Sequence, residues 1–126
     1  MAIQTMTAEE VARAFYAAYH SRDRARFEQL MADDFRFVSP YDDHIDRAAY
    51  FARCWAPGDK QREFQIEQTA LSRADSVYVT YKVEVEGGKT FRNTELLRVR
   101  DGKVSHVHVF FGETYRDGKF EAQTPG

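Results

Sequence analysis

The sequence lacks several features that would restrict its class. Cys54 is the single cysteine among 126 residues, so no disulfide can form within the chain. No apolar run approaches the roughly 20 residues needed to cross a bilayer, and the N-terminus lacks the basic and then apolar pattern of a signal peptide. These absences predict a protein of the reducing cytoplasm that is not integral to a membrane.

An excess of either charge is also absent. The chain has 18 Lys and Arg against 20 Asp and Glu, for a net charge of −2. The chain therefore has no excess of positive charge with which to bind a polyanion, which argues against nucleic acid as a partner. Aromatic residues are abundant instead, at 14% with ten Phe and seven Tyr. This composition predicts one globular domain over residues 1–126 with a large aromatic interior.

Three helices are predicted in the N-terminal half. Thr7-Ala-Glu-Glu10 has the form of a capping box, so a first helix should begin at Ala8 and end near Ser21. Asp23 can cap a second, shorter helix. Asp46 can cap a third, which Pro57-Gly58 should end.

The remaining segments alternate with the period of strands. Phe35–Ser39 predicts a short strand that stops at Pro40, and the polar stretch Tyr41–Asp46 is interpreted as a loop. From Arg62 onward apolar residues recur every second position, with turn signals between the runs at three Gly-containing pairs, Gly87-Gly88, Asp101-Gly102 and Asp117-Gly118. The second half is therefore predicted to be a meander of long antiparallel strands.

This order of elements resembles the NTF2-like (SnoaL-like) superfamily. The most specific marks are Ala32–Pro40 (ADDFRFVSP) and Asp101–Val104 (DGKV) with the alternating Val107, Val109 and Phe111 after it. The resemblance implies an α+β fold in which a cone-shaped, curved antiparallel sheet carries three N-terminal helices on its concave side. It does not imply one chemistry, because the superfamily includes ketosteroid isomerases, polyketide cyclases, epoxide hydrolases, dehydratases and proteins without catalysis.

Glu95 is the residue most suggestive of chemistry. On its strand it shares a face with Phe91, Leu97 and Val99, which predicts that it points into the cone. A carboxyl among apolar side chains resists ionisation, so Glu95 is a candidate general acid. Asn93 on the same face is a candidate ligand-binding residue. The alternative is that Glu95 pairs with an arginine or tyrosine and only supports the fold.

Comparison with the ketosteroid isomerases within this superfamily gives a partial match. Glu95 corresponds to the strand position where those enzymes place a protonated acid that stabilises an oxyanion. Ser39 stands where they carry a carboxylate base, and Phe15 where they carry a tyrosine of the first helix. A serine hydroxyl has no charge with which to remove a proton from carbon, so isomerisation by that mechanism is not predicted.

The Tyr41–Asp46 loop supplies further candidates at the mouth of the cone. Asp42 and His44 are candidate bases, because a histidine beside carboxylates can take up a proton near neutral pH. The alternative is a solvated loop in which Asp46 only caps the helix. His44 and Asp42 lack a third ligand at a recognisable spacing, so no metal site and no cofactor are predicted.

The remaining candidates are assigned by helix and strand position. Seven residues are predicted to bind a small-molecule ligand: Tyr19, Ser39, Tyr41, Trp55, Tyr81, Asn93 and Phe111. His106, His108 and Phe110 alternate with the inward valines, so they are expected on the outer sheet face, in a homodimer interface. A bulge near Ser105 would reverse this and turn both histidines inward.

Two functions from different classes follow. The first is a small-molecule pocket protein that works as a cofactor-independent isomerase, lyase or cyclase on a hydrophobic or aromatic compound, with Glu95 as the acid. The second is a ligand-binding or dimerisation module without catalysis. An epoxide hydrolase is less favoured, because the last predicted strand, Val104–Phe111, contains no acid.

Overall fold

The three helices found in the described part of the chain each begin directly after the residue that the sequence predicted as their cap. The computed structural model describes residues 6–55, 61–85 and 87–122, without the side chains of 61 and 62. Helix α1 spans Ala8–His20, α2 spans Arg24–Gln29 and α3 spans Arg47–Cys54. The predicted end of α3 at Pro57-Gly58 lies outside the described residues.

The caps are hydrogen bonds to the exposed amides of each first turn. Thr7 Oγ1 accepts from the Glu10 amide at 3.1 Å while Glu10 Oε1 accepts from the Thr7 amide at 2.9 Å, which confirms the capping box. The Asp46 carboxylate accepts from the Ala49 amide at 2.9 Å, and Asp23 caps α2 in the same way. These amides have no partner within the helix, so the caps fix where each helix starts.

Seven strands of the described residues form one curved sheet. Their bounds are β1 Met31–Ser39, β2 Asp42–Asp46, β3 Gln61–Arg73, β4 Ser76–Val85, β5 Lys89–Arg100, β6 Lys103–Arg116 and β7 Lys119–Phe120. The order across the sheet is β2-β1-β6-β5-β4-β3, with β7 paired to β6. The predicted antiparallel meander is confirmed in β3 to β6. The sheet as a whole is mixed, because β1 runs parallel to β6.

The segment predicted as a loop before α3 contains strand β2. It pairs with β1, and the pairing joins Phe37 to Ile45 and Ser39 to Asp42. Two steps along β1 therefore correspond to three along β2, which is a β-bulge. His44 lies within the bulge and has a left-handed backbone with a φ of 49°. The sequence did not predict this strand, because β2 is short and Ile45 is its single apolar residue, so no apolar alternation marks it.

The core fills the space between the helices and the concave sheet face. Val11 and Phe27 from the helices and Phe35, Val79 and Leu97 from the sheet are fully buried. Within the described residues, no helix is long and apolar enough to cross a membrane. The core occupies only part of the space under the sheet, and the remainder is open.

Candidate functional site

An aromatic cavity of about 490 Å³ lies between the helices and the concave sheet face. Helices α1 to α3 form one side, while strands β1 to β6 form the other. The walls are mostly rings and valines, and polar groups occur at a few points. The aromatic lining consists of Phe15, Tyr16, Tyr19, His20, Phe27, Phe37, Tyr41, Tyr50, Phe64, Tyr81, Phe91 and Phe111. Such a cavity has the size and character of a small-molecule site.

Glu95 lies within this cavity wall and is almost completely buried, with 9% of its surface exposed. Each of its carboxyl oxygens accepts a hydrogen bond from a tyrosine. The Tyr16 hydroxyl donates to Oε1 at 2.8 Å, and the Tyr81 hydroxyl donates to Oε2 at 2.5 Å. The parity of β5 therefore directs Glu95 inward as the sequence predicted, and the partners are tyrosines from α1 and β4.

Burial determines the acidity of this group. Removal from water raises the pKa of Glu95 above its ordinary value, and the hydrogen bonds from Tyr81 and Tyr16 offset part of that rise. The same burial, together with the nearby carboxyl, raises the pKa of both tyrosines well above 10. The tyrosines therefore remain hydroxyl donors at physiological pH, and Glu95 is the group whose proton can be exchanged.

Asn93 extends the hydrogen-bonded group by one residue. It lies two positions before Glu95 on β5, so it faces the same side of the sheet. Its side-chain Nδ2 donates to the Tyr81 hydroxyl oxygen at 3.2 Å. Asn93, Tyr81, Glu95 and Tyr16 thus form a continuous buried chain along the cavity wall.

A second polar cluster lies where β1, β2 and α3 border the cavity. The Ser39 hydroxyl donates to Asp42 Oδ2 at 2.7 Å. Arg53 Nε is 2.7 Å from Asp42 Oδ1 but is not aligned for a hydrogen bond, so this contact is an ion pair. Only 9% of the Asp42 side chain is exposed, against 55% for Arg53. In a regular strand, two residues three positions apart face opposite sides of the sheet. The bulge in β2 lets Asp42 and Ile45 both face inward, and this allows Asp42 to reach Ser39 and Arg53.

His44 does not reach the cavity, so the structure does not support its predicted role as a base at this site. Its Nδ1 contacts the neighbouring Asp43 carboxylate at 2.7 Å, and its ring lies 6.1 Å from that of His106 on the outer sheet face. The left-handed backbone of His44 within the bulge turns its side chain away from Asp42. The two candidates from this segment are therefore separated, and only Asp42 lines the cavity.

Most of the predicted ligand-binding residues line the cavity. Tyr19 does so, with its hydroxyl donating to the Cys54 carbonyl oxygen at 2.9 Å, as do Ser39, Tyr81 and Asn93. Tyr41 and Phe111 lie at its edge, where their rings are 5.6 Å apart and more than a third exposed.

Trp55 is the exception among these predicted residues. It lies beyond the end of α3 and packs against the helices, where its ring contacts Tyr19, Phe27 and Phe51. The Arg22 guanidinium covers it at 4.4 Å. Its side chain therefore supports the helical layer and does not border the cavity.

Two residues of α1 were missed by the sequence analysis. Tyr16 and His20 both line the cavity, and the His20 ring stacks on Phe64 at 3.8 Å. Phe15 lines the cavity as well, but Tyr16 is the residue of α1 whose hydroxyl reaches Glu95. The signal was available: positions 8, 11, 12, 15, 16, 19 and 20 follow the spacing of a wide inward helix face.

The histidines of β6 lie on the outer sheet face, as their strand parity predicted. Val107 and Val109 line the cavity, so His106, His108 and Phe110 point away from it. The His108 and Phe110 rings stack at 4.3 Å, and Phe110 is 45% exposed. Burial and the nearby Arg98 lower the pKa of His106. The described part of the chain contains no group of three or more His, Cys, Asp or Glu side chains placed to hold a metal ion.

Comparison with known proteins identifies the family to which this chain belongs. The model of the SnoaL-like domain family matches residues 12–107, so the chain belongs to that family. A search of the curated proteins gave no match. Among solved structures, an NTF2-like protein of unknown function from Cytophaga hutchinsonii is similar with a TM-score of 0.70 and 17% identity, over 89% of this chain and 95% of that one.

Two other similar structures have names that suggest enzymes. A candidate ketosteroid isomerase of Kribbella flavida has a TM-score of 0.72 and 24% identity, over 97% of this chain and 87% of that one. An LEH-like epoxide hydrolase of Mycobacterium tuberculosis has a TM-score of 0.66 and 17% identity, over 83% of this chain and 82% of that one. At these identities the likeness shows the NTF2-like fold alone, and the activities remain those of the other proteins.

Proposed function

We propose that this protein binds a small hydrophobic or aromatic compound in the aromatic cavity and acts on it by acid–base chemistry centred on Glu95. The observation that carries the proposal is a buried carboxyl, held by two tyrosine hydroxyls, in the wall of a cavity of about 490 Å³. The reaction would be an isomerisation, elimination or cyclisation that needs no cofactor.

The acid role follows from the environment of Glu95. Its raised pKa keeps a larger fraction protonated near neutral pH than an exposed glutamate would have. A protonated carboxyl beside two tyrosine hydroxyls can donate to an oxygen that gains negative charge during the reaction. The aromatic walls exclude water, which strengthens such hydrogen bonds.

The base in this proposal is Asp42. Its carboxylate borders the same cavity, and Ser39 and Arg53 hold it in place. A carboxylate can accept the proton that a serine at position 39 could not. Ser39 then has a supporting role, because its hydroxyl orients Asp42 by a 2.7 Å hydrogen bond.

A second candidate function is binding without catalysis. Both oxygens of Glu95 already have hydrogen-bond partners within the protein, so the carboxyl is satisfied with no ligand present. In that case the Glu95 group maintains the shape of the cavity, and a ligand would be held mainly by the aromatic walls.

The test starts with thermal-shift screening against aromatic and polyketide-like compounds, followed by mass spectrometry of every stabilising compound after incubation. For a converted compound, Glu95→Gln should lower kcat about 100-fold or more while binding is retained. Glu63→Gln is the matched control, because Glu63 is an exposed glutamate on β3. Conversion by Glu95→Gln at the wild-type rate would exclude the acid role, and stabilisation without conversion would favour the binding function.

We also propose a homodimer through the outer sheet face. Phe110 and Tyr78 are both more than a third exposed on that face, and burying such rings against a second copy would be favourable. Phe110→Glu should then convert a dimer to a monomer in light scattering coupled to size exclusion. A wild-type protein that is monomeric at high concentration would refute this assembly.

A further inference from the structure

Arg53 lies where the aromatic cavity meets solvent. It belongs to the last turn of α3 and lines the cavity, with 55% of its side chain exposed. The carbonyl oxygen of the next residue, Cys54, accepts a hydrogen bond from the Tyr19 hydroxyl at 2.9 Å, which holds this end of α3 against α1. The guanidinium of Arg53 is therefore carried by a fixed backbone at the edge of the apolar interior.

The hydrogen-bond donors of Arg53 are not used within the described residues. Its Nε lies 2.7 Å from Asp42 Oδ1 without alignment for a hydrogen bond, and Oδ1 is buried with no hydrogen-bond partner. The terminal nitrogens Nη1 and Nη2 of Arg53 also donate to no residue that the structure describes. A guanidinium carries its donors in a planar fork that matches the two oxygens of a carboxylate. The ion pair with Asp42 thus holds the charge in place and leaves both terminal nitrogens able to bind a ligand.

A second arginine of this molecule shows that one guanidinium can hold two carboxylates. Arg92 Nε and Nη2 donate to Glu67 at 2.8 and 3.1 Å, and Arg92 Nη1 donates to Glu113 at 3.3 Å. Arg53 has one carboxylate partner, Asp42, among the residues described. Its terminal nitrogens can therefore bind the carboxylate of a ligand in the way that Arg92 binds its second glutamate.

The other walls of the cavity are unsuited to a carboxylate. Among the described residues that line it, Arg53 is the one Lys or Arg side chain. A carboxylate placed deeper, beside the buried acid Glu95, would lose its water and face another acidic group. Burial of a charge without a partner of opposite sign is costly. The mouth of the cavity is therefore the place where an acid group of a ligand is stabilised.

From this arrangement we infer that Arg53 is a binding residue for a carboxylate, and that the ligand of the cavity is an aromatic acid. The inference rests on the proposed binding function and adds the polar group of the ligand. The apolar body of the ligand lies against the aromatic walls, and its carboxylate stays at the mouth on the terminal nitrogens of Arg53. Asp42 positions the arginine from the Nε side. This orientation directs the apolar end of the ligand toward Glu95.

Isothermal titration calorimetry with 2-naphthoate and 2-naphthamide tests the inference, because the two compounds have nearly the same shape and differ in charge. At pH 7.5 and low salt the wild type should bind the acid about five- to tenfold more tightly than the amide. Arg53→Gln should bind both about equally. Arg53→Lys should keep part of the preference, since it retains the charge and loses the fork. In the wild type, 1 M sodium chloride should reduce the preference, because Arg53 is half exposed.

Arg13→Gln is the matched control. Arg13 also forms an ion pair through Nε, with Glu9 at 3.2 Å, and its side chain is 50% exposed, but it does not line the cavity. The wild-type preference for the acid should therefore persist in this variant.

A preference for the acid that persists in Arg53→Gln would overturn the inference, because the carboxylate would then bind elsewhere. Equal affinities of the wild type for acid and amide would also overturn it, and the binding function would stand because both compounds still bind. Binding of neither compound would refute the binding function and the inference with it. If Arg53→Gln does not fold, Arg53→Lys and the salt series decide: an acid preference that neither of them reduces would refute the role of Arg53.

Discussion

Replacement of Glu95 by glutamine should remove a pH dependence of stability that burial imposes on this protein. The pKa of Glu95 is raised in the folded state above its ordinary value of 4.5, which an unfolded chain restores. Well below pH 4.5 the group is protonated in both states, and its own contribution to stability is highest. As the pH rises further, the unfolded chain releases the proton while the folded protein retains it, so the free energy of unfolding falls.

The structure sets the size of this effect. Between pH 4.5 and the pKa of the folded state, the contribution of Glu95 falls by up to about 1.4 kcal/mol for each pH unit. Above the pKa of the folded state both forms are ionised, and the dependence stops. Because Glu95 is only 9% exposed, solvent screens the effect little.

Urea unfolding at a series of pH values from 4 to 8 measures this dependence, with fluorescence of Trp55, the single tryptophan, as the probe. The quantity of interest is the wild-type free energy of unfolding minus that of Glu95→Gln. His106 contributes in the opposite direction, since its lowered pKa costs stability on acidification, and the subtraction cancels it. A difference that stays constant or grows with pH would refute the assignment of Glu95 as a buried group of raised pKa.

Three further predictions concern single residues. Burial and the nearby Asp42 raise the pKa of the Cys54 thiol to about 11. At pH 8, iodoacetamide should therefore modify Cys54 far more slowly in the folded protein than in protein unfolded by urea, and equal rates in the two would contradict the burial of this thiol. Gly112→Ala should lower stability by about 1–3 kcal/mol, since a Cβ would lie 2.6 Å from the Arg92 carbonyl oxygen; an unchanged melting temperature would show that β5 can move aside. Thr7→Ala should cost about 1 kcal/mol through loss of the capping box, whereas Thr7→Ser should retain most of it.

Much of the fold could be predicted because the sequence patterns that indicate it depend only on residues close together in the chain. A cap such as Thr7 or Asp46 depends on a few neighbouring residues, and it marked the start of a helix correctly. The alternation along β5 placed Glu95 and Asn93 on the concave face for the same reason. Strand β2 was missed because its pairing with β1 depends on a bulge, which a short polar sequence does not reveal.

The sequence by itself determined the helix starts, the meander and the inward direction of Glu95, since these follow from capping and from the two-residue period of strands. Tertiary structure alone decided which groups surround that carboxyl. Tyr16 is 79 positions away from Glu95 and comes within 2.8 Å only when α1 packs on the sheet. Similarly, the β2 bulge separates Asp42 from His44, which are two residues apart in sequence but lie on opposite sides of the sheet.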